Sequence, residues 1–271
     1  MADHNPEQSD APEWPQKYPG SHENIFDGLE WRGRDYLSVL DIQIDFCAQL
    51  EAIKRLIVRQ QTVERDHQLQ VSKLEAEMTK LSGVDHGLAN ADRTELLQES
   101  VYQDAAHSMA AIGMIAPLFE AILCAYFQSV GSRRVHVAGV RAVASDHIYW
   151  DCHLVLENGH VRKDIVKGAR QLADDVGLTA YLPTDFFVTL AAVFAYRNKM
   201  VHNGLEWTPR ERKRFAQTIQ ESTWSAEWFV RASISGKPWI FYMSDEFIGH
   251  CINTAEALLD ACGNQARASN S

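Results

Sequence analysis

Between Trp31 and Leu81 the chain contains no proline and a single glycine, Gly33. A run of that length without a breaker exceeds any ordinary strand and must be helical, as one long helix or two stacked ones. Its second half places His67, Val71, Leu74, Met78 and Leu81 at 4-3 spacing, with charged and polar residues between them. That pattern is a narrow apolar seam, suited to a hairpin partner in the same chain or to a second copy. Residues 29–90 are therefore expected to form a long N-terminal helical arm. Residues 1–28 carry four prolines and no periodicity, the pattern of a flexible tail.

Beyond the arm, "SGVDHGLAN" supplies two glycines and turn formers, and a second helix is expected from about Asp92 to Val130, kinked or divided at Pro117. Leu118, Phe119, Ile122, Leu123, Tyr126 and Phe127 give it a wide apolar face, which makes it central. Residues 109–127 tempt a membrane-spanning interpretation, but Pro117 and Glu120 near the middle point to a core helix. "HIYWDCHLVLENGHV" alternates and then turns at Asn158-Gly159, so one short β-hairpin is expected. "RKDIVKGARQLADDVGL" has helical spacing at Ile165, Ala169, Leu172 and Val176, closed by Gly177. The next helix starts near Thr184 and stops at Asn203-Gly204, with Phe187, Leu190, Ala191, Phe194 and Ala195 as its buried stripe. Thr208, Pro209 and Glu211 mark another start, with the spacing of a capping box. A last helix runs from a cap at Ser244 to about Cys262, ended by Gly263. The expected fold is thus mostly all-α, a helical domain over residues 91–263 with a flexible C-terminus at 264–271.

Composition narrows the chemistry. The 271 residues carry a formal charge of -10 and a pI of about 5.5, which excludes a broad cationic surface for duplex DNA. A local basic site stays compatible with that balance. Five cysteines, Cys47, Cys124, Cys152, Cys251 and Cys262, form no CxxC pair and read as reduced core residues of a cytoplasmic protein. The N-terminus has no apolar run of the signal-peptide kind. Phosphate-binding glycine loops, HExxH and EF-hand loops are absent from the sequence. Asp151, Cys152, His153, His147 and His160 match no common zinc spacing, and a hairpin would split them between two faces, so no metal or other cofactor is expected.

The stretch "FAYRNKMVHNG" is different. It begins apolar, then gathers Arg197, Asn198 and His202 just before the helix stop. Asn198 and His202 are four apart and share a face, with Arg197 about 100° round the helix. Arginine offers a charged planar fork to a phosphate, histidine exchanges protons near neutral pH, and an amide can orient either. Arg141 and His147 form a similar pair with one more intervening residue, but without that context.

"YRNKMVHNG" resembles the signature of the HEPN superfamily (higher eukaryotes and prokaryotes nucleotide-binding domains). Its ribonucleases place an arginine, often followed by a polar residue, four to six residues before a histidine at a helix end. The match covers Arg197, Asn198 and His202, and the helix-rich region 100–262 agrees with that family's helical bundle. The resemblance implies metal-independent endoribonuclease action on single-stranded RNA at a site shared by two such domains, in a homodimer. It also implies a role in toxin–antitoxin or antiviral defence. The resemblance says nothing about the N-terminal arm or residues 131–180, and the arm is the expected place for an antitoxin or other partner protein. Some members keep the fold as a non-catalytic RNA- or nucleotide-binding or protein-interaction module, and that is the competing reading.

Three supporting features complete the expectation. Glu120 interrupts an apolar helix and needs a partner or a path to solvent; Arg197 is the leading partner. The basic run Arg210, Arg212, Lys213 and Arg214 is placed to hold a flanking phosphate, or is only a solvated face. Trp224, Trp228, Phe229, Trp239, Phe241 and Tyr242, with Arg231 and Lys237, suit either base stacking or core packing.

Overall fold

A computed structural model describes residues 32–40, 42–133, 149–234 and 236–269. The expected N-terminal tail and the Arg141–His147 pair lie outside them. Among the described residues there are six α-helices, two 3₁₀ segments and two antiparallel hairpins, so the fold is mostly α as the sequence implies.

A 3₁₀ segment, Gly33–Leu40, leads into α1 (Phe46–Met78), whose N-cap Asp45 accepts a hydrogen bond from Ala48 N–H at 2.8 Å. The chain reverses at Gly83, with φ of 62°, and returns as α2 (Gly83–Arg133). Arg93 on α2 pairs with Glu75 on α1 at 2.7 Å, and Val71, Leu74 and Met78 are half-buried. The seam of α1 therefore packs on its own chain. Two boundaries differ from expectation. The helix begins at Gly83 rather than Asp92, because the left-handed turn is complete at that glycine. Because of that start, the division between arm and domain at residue 90 falls inside one helix, which Pro117 does not divide.

The far half of α2 is the core. Ile112, Ile115, Phe119, Ile122, Leu123, Tyr126 and Phe127 are each no more than 1% exposed, the condition of a helix surrounded by protein. Against it pack α3 (Ile165–Val176), α4 (Phe186–Asn203) and α6 (Asp245–Ser269). Phe119 meets Phe186, with ring centroids 6.2 Å apart. At the other end Ser108 donates to the Phe241–Met243 strand region, where Tyr196 also donates to Phe241 C=O. Residue numbers rise along α2 as they fall along α4, so the two helices run antiparallel, with Leu190 and Phe194 in the same core.

The first hairpin pairs β1 (Leu154–Glu157) with β2 (His160–Lys163) across Asn158 and Gly159, both with positive φ, as a two-residue turn requires. Cys152 and His153 precede the strand in a turn, so strand alternation does not separate them. Helix α3 is capped by Asp164 and closed by Gly177. Helix α5 (Pro209–Glu221) is capped by Thr208; Glu211 pairs with Lys199 and Arg214 instead of completing a capping box. A second hairpin, β3 (Phe229–Ile234) with β4 (Lys237–Met243), was not expected. It carries Phe229 and Phe241 into an aromatic core with Tyr196, Trp207 and Phe215, where Trp207 stacks on Phe241 at 5.8 Å, while Trp239 packs edge-on against Tyr102 in a smaller cluster with Ala105 and Ile240.

The last helix also differs. It does not stop at Gly263 but continues to Ser269, so residues 264–269 are helical, not a tail. Gly263 lies against Gly33: a Cβ there would sit 1.7 Å from Gly33 C=O. Beside this contact Arg34 clasps Asp260 through Nε at 2.9 Å and Nη2 at 2.7 Å, and the Arg34 backbone N–H donates to the same carboxylate.

Candidate active site

An open cleft of about 770 Å³ lies between α2, the turn before β1, the start of α3 and the cleft-facing side of α4. Helix α4 supplies its floor through Ala191, Phe194 and Ala195 and its rim through Arg197 and Asn198. The fully buried face of α4 is Phe186, Thr189, Leu190, Val193 and Tyr196. Of the expected stripe, Leu190 and Phe194 are buried, whereas Phe187, Ala191 and Ala195 are half-buried and the two alanines line the cleft.

Arg197 is half-buried and Asn198 exposed. Arg197 Nη1 donates to Asn198 Oδ1 at 3.2 Å, which orients the guanidinium along the rim. Among the described residues no carboxylate forms an ion pair with Arg197. His202 stands one turn further on, exposed in the last turn of α4, and does not line the cleft itself. Lys163 and Lys167 add positive charge to a lining that also holds Glu120, Asp151 and Asp164.

Glu120 does not pair with Arg197. Its Oε1 lies 2.8 Å from His153 Nε2, while His153 Nδ1 lies 2.8 Å from Asp151 Oδ1. The expected arginine partner loses to histidine because the turn at residues 151–153 is laid directly over this part of α2. Asp151 Oδ1 also accepts the His153 backbone N–H at 2.9 Å, so one carboxylate fixes both backbone and ring. Burial disfavours the charged imidazole, but the hydrogen bonds to Glu120 and Asp151 outweigh it and raise the His153 pKa.

One turn along α2 from Glu120, Cys124 Sγ lies 3.2 Å from Cys152 Sγ; both cysteines are free. The hydrogen bond from Cys152 holds Cys124 below the ordinary thiol value, while the same bond and burial push Cys152 up. The sequence contains a signal for this cluster that spacing rules overlook: Glu120 and Cys124 are four apart and share one face of α2.

The other expected substrate contacts do not gather here. Arg210, Arg212, Lys213 and Arg214 are not among the cleft-lining residues. Arg212 is built into the fold, donating to Trp207 C=O at 2.6 Å, Pro238 C=O at 3.0 Å and Glu206 at 2.9 Å, and Arg214 pairs with Glu211. Arg210 and Lys213 are exposed. The base-stacking reading of the aromatics gives way to packing: Trp239 is 8% exposed, and Trp228 stacks on Phe247 at 4.5 Å. A core of neighbouring helices buries these rings more effectively than solvent-facing stacking would. Comparison of the chain with protein-family models, with curated proteins and with solved structures yields no match.

Proposed function

We propose that the chain is a metal-independent endoribonuclease of the HEPN type, acting at the α4 rim of this cleft. The observation that supports it is the placement of Arg197 and Asn198 on an open cleft wall, with no carboxylate neutralising the guanidinium among the described residues. An arginine that merely served the end of a helix would be expected to turn to its carbonyls or to a neighbouring acid. A phosphate entering the cleft meets that fork without breaking an ion pair first.

In the proposed reaction the ribose 2′-oxygen attacks the adjacent phosphorus and gives its proton to His202. The bond from phosphorus to the 5′-oxygen breaks, and that oxygen takes up a proton. The products are a 2′,3′-cyclic phosphate and a 5′-hydroxyl. Arg197 offsets the charge that builds on the phosphoryl oxygens, and Asn198 holds Arg197 in register. One histidine cannot be base and acid in the same step, so His202 of the partner subunit in a homodimer supplies the second proton transfer. The exposure of His202 at the end of α4 leaves it free for such a meeting. A cytoplasmic setting and a defence role with a partner protein belong to the same proposal.

The test is one labelled single-stranded RNA incubated with wild type, Arg197→Lys and His202→Ala, without added metal and with brief EDTA treatment. Wild type should cleave under both conditions and spare the matching DNA. Both variants should be severely impaired, lysine because it keeps the charge but loses the fork. If wild type and His202→Ala leave the RNA equally intact, the nuclease reading fails and a non-catalytic binding module takes its place.

A further inference from the structure

We propose that Cys124, Cys152 and His153 form a zinc site, with Glu120 bordering the fourth position. Their ligand atoms all lie within 4.8 Å of one another. Tetrahedral zinc with bonds of about 2.3 Å to sulfur and 2.0–2.1 Å to nitrogen needs its ligand atoms roughly 3.3–3.8 Å apart. The two sulfurs at 3.2 Å need to separate only slightly, and the imidazole to close in.

The surroundings match what a zinc-ligating histidine requires. Asp151 Oδ1 holds Nδ1 at 2.8 Å and the backbone N–H at 2.9 Å, which fixes the ring and leaves Nε2 as the ligating nitrogen. Nε2 faces Glu120 Oε1 at 2.8 Å, so the carboxylate stands beside the metal position, as a ligand or as acceptor for a bound water. Two thiolates and an imidazole are a soft set that selects zinc over magnesium or calcium. Loading proceeds as Zn²⁺ forms two Zn–S bonds and one Zn–N bond while the two thiols and His153 Nε2 release their protons to solvent, with no change of oxidation state. Cys152 is buried and Cys124 half-buried, which places the metal in the wall between α2 and the turn before β1. It joins two segments that are otherwise far apart in sequence. The zinc takes no part in the cleavage step proposed above, and the inference does not rest on that step.

The test uses the full chain, purified under reducing conditions, with zinc measured by mass spectrometry and the apo form titrated with Co²⁺. One metal per chain is expected, with a thiolate-to-cobalt charge-transfer band and the visible bands of tetrahedral Co²⁺. Cys124→Ser and His153→Ala should lose the spectrum and Cys47→Ser should keep it. Asp151→Asn should weaken Co²⁺ binding about 10–100-fold by freeing the ring. The wild-type spectrum decides the matter even where a variant misfolds. Wild type that binds no stoichiometric metal, or a spectrum unchanged in Cys124→Ser, overturns the proposal. So does a Cys124–Cys152 disulfide that forms in place of metal binding under reducing conditions.

Discussion

Gly168 on α3 tests how the cleft wall is held. An added Cβ would lie 2.3 Å from Cys152 C=O and 2.7 Å from Leu154 C=O, against an ordinary contact of at least 3.4 Å. Both obstacles are backbone, so α3 would have to lift by about 1 Å from the segment carrying Cys152 and His153. Overpacking of this kind costs about 1–3 kcal/mol. Replacing a helix-interior glycine by alanine returns about 0.5–1 kcal/mol. Gly168→Ala should therefore lose about 1 kcal/mol and up to about 2.5 kcal/mol, a fall of up to roughly 10 °C in Tm. Gly249→Ala, in α6, makes the same chemical change where nothing lies within 4 Å, and should gain up to about 1 kcal/mol. Urea unfolding of both variants beside wild type reads the difference directly. If Gly168→Ala is as stable as Gly249→Ala, α3 does not seat on those carbonyls and the description of the wall is wrong.

Two further outcomes follow from the fold. Burial tends to raise the Asp260 pKa, but the Arg34 side-chain and backbone hydrogen bonds overcome it and hold the carboxylate below its ordinary 3.8. Its contribution is present above the unfolded value and lost as pH falls through the folded one, so the stability gap between wild type and Asp260→Asn should be flat above pH ~5 and narrow below ~4; a gap independent of pH would exclude the ion pair as its source. Phe215→Ala removes a ring packed against Trp207, Phe229 and Phe241 and should cost about 3–5 kcal/mol in the same unfolding assay, whereas a loss under 1 kcal/mol would mean the cluster is loosely packed.

What could be read from the sequence was local chemistry. Asn158-Gly159, Gly177 and Thr208-Pro209 each encode a turn or cap within a few residues, and each is found in place. The β3–β4 hairpin escaped because the sequence carries no clean alternation there. Trp239, Ile240 and Phe241 are all buried in succession, and the register shifts between Arg231 and Ser233. Gly263 has the look of a helix stop, but its role is set by Gly33, far away in sequence, and no local rule could see that contact. The candidate site divides the same way. Arg197 and Asn198 were legible as neighbours on one helix, whereas Cys124 and His153 meet only once α2 and the 151–153 turn are packed.

The clasp between Arg34 and Asp260 joins residues 226 positions apart, and that separation becomes a waiting time during synthesis. At about 5–20 residues per second, the 3₁₀ segment leaves the ribosome roughly 10–45 s before the helix turn that receives it. The α1–α2 hairpin can form meanwhile from contacts already made. Leu37 and Leu40 lie on the 3₁₀ segment, which packs chiefly on α6, so they lack that cover over the interval. The nascent chain thus presents an apolar patch at its N-terminal end for tens of seconds, long enough for a chaperone to hold it until α6 arrives.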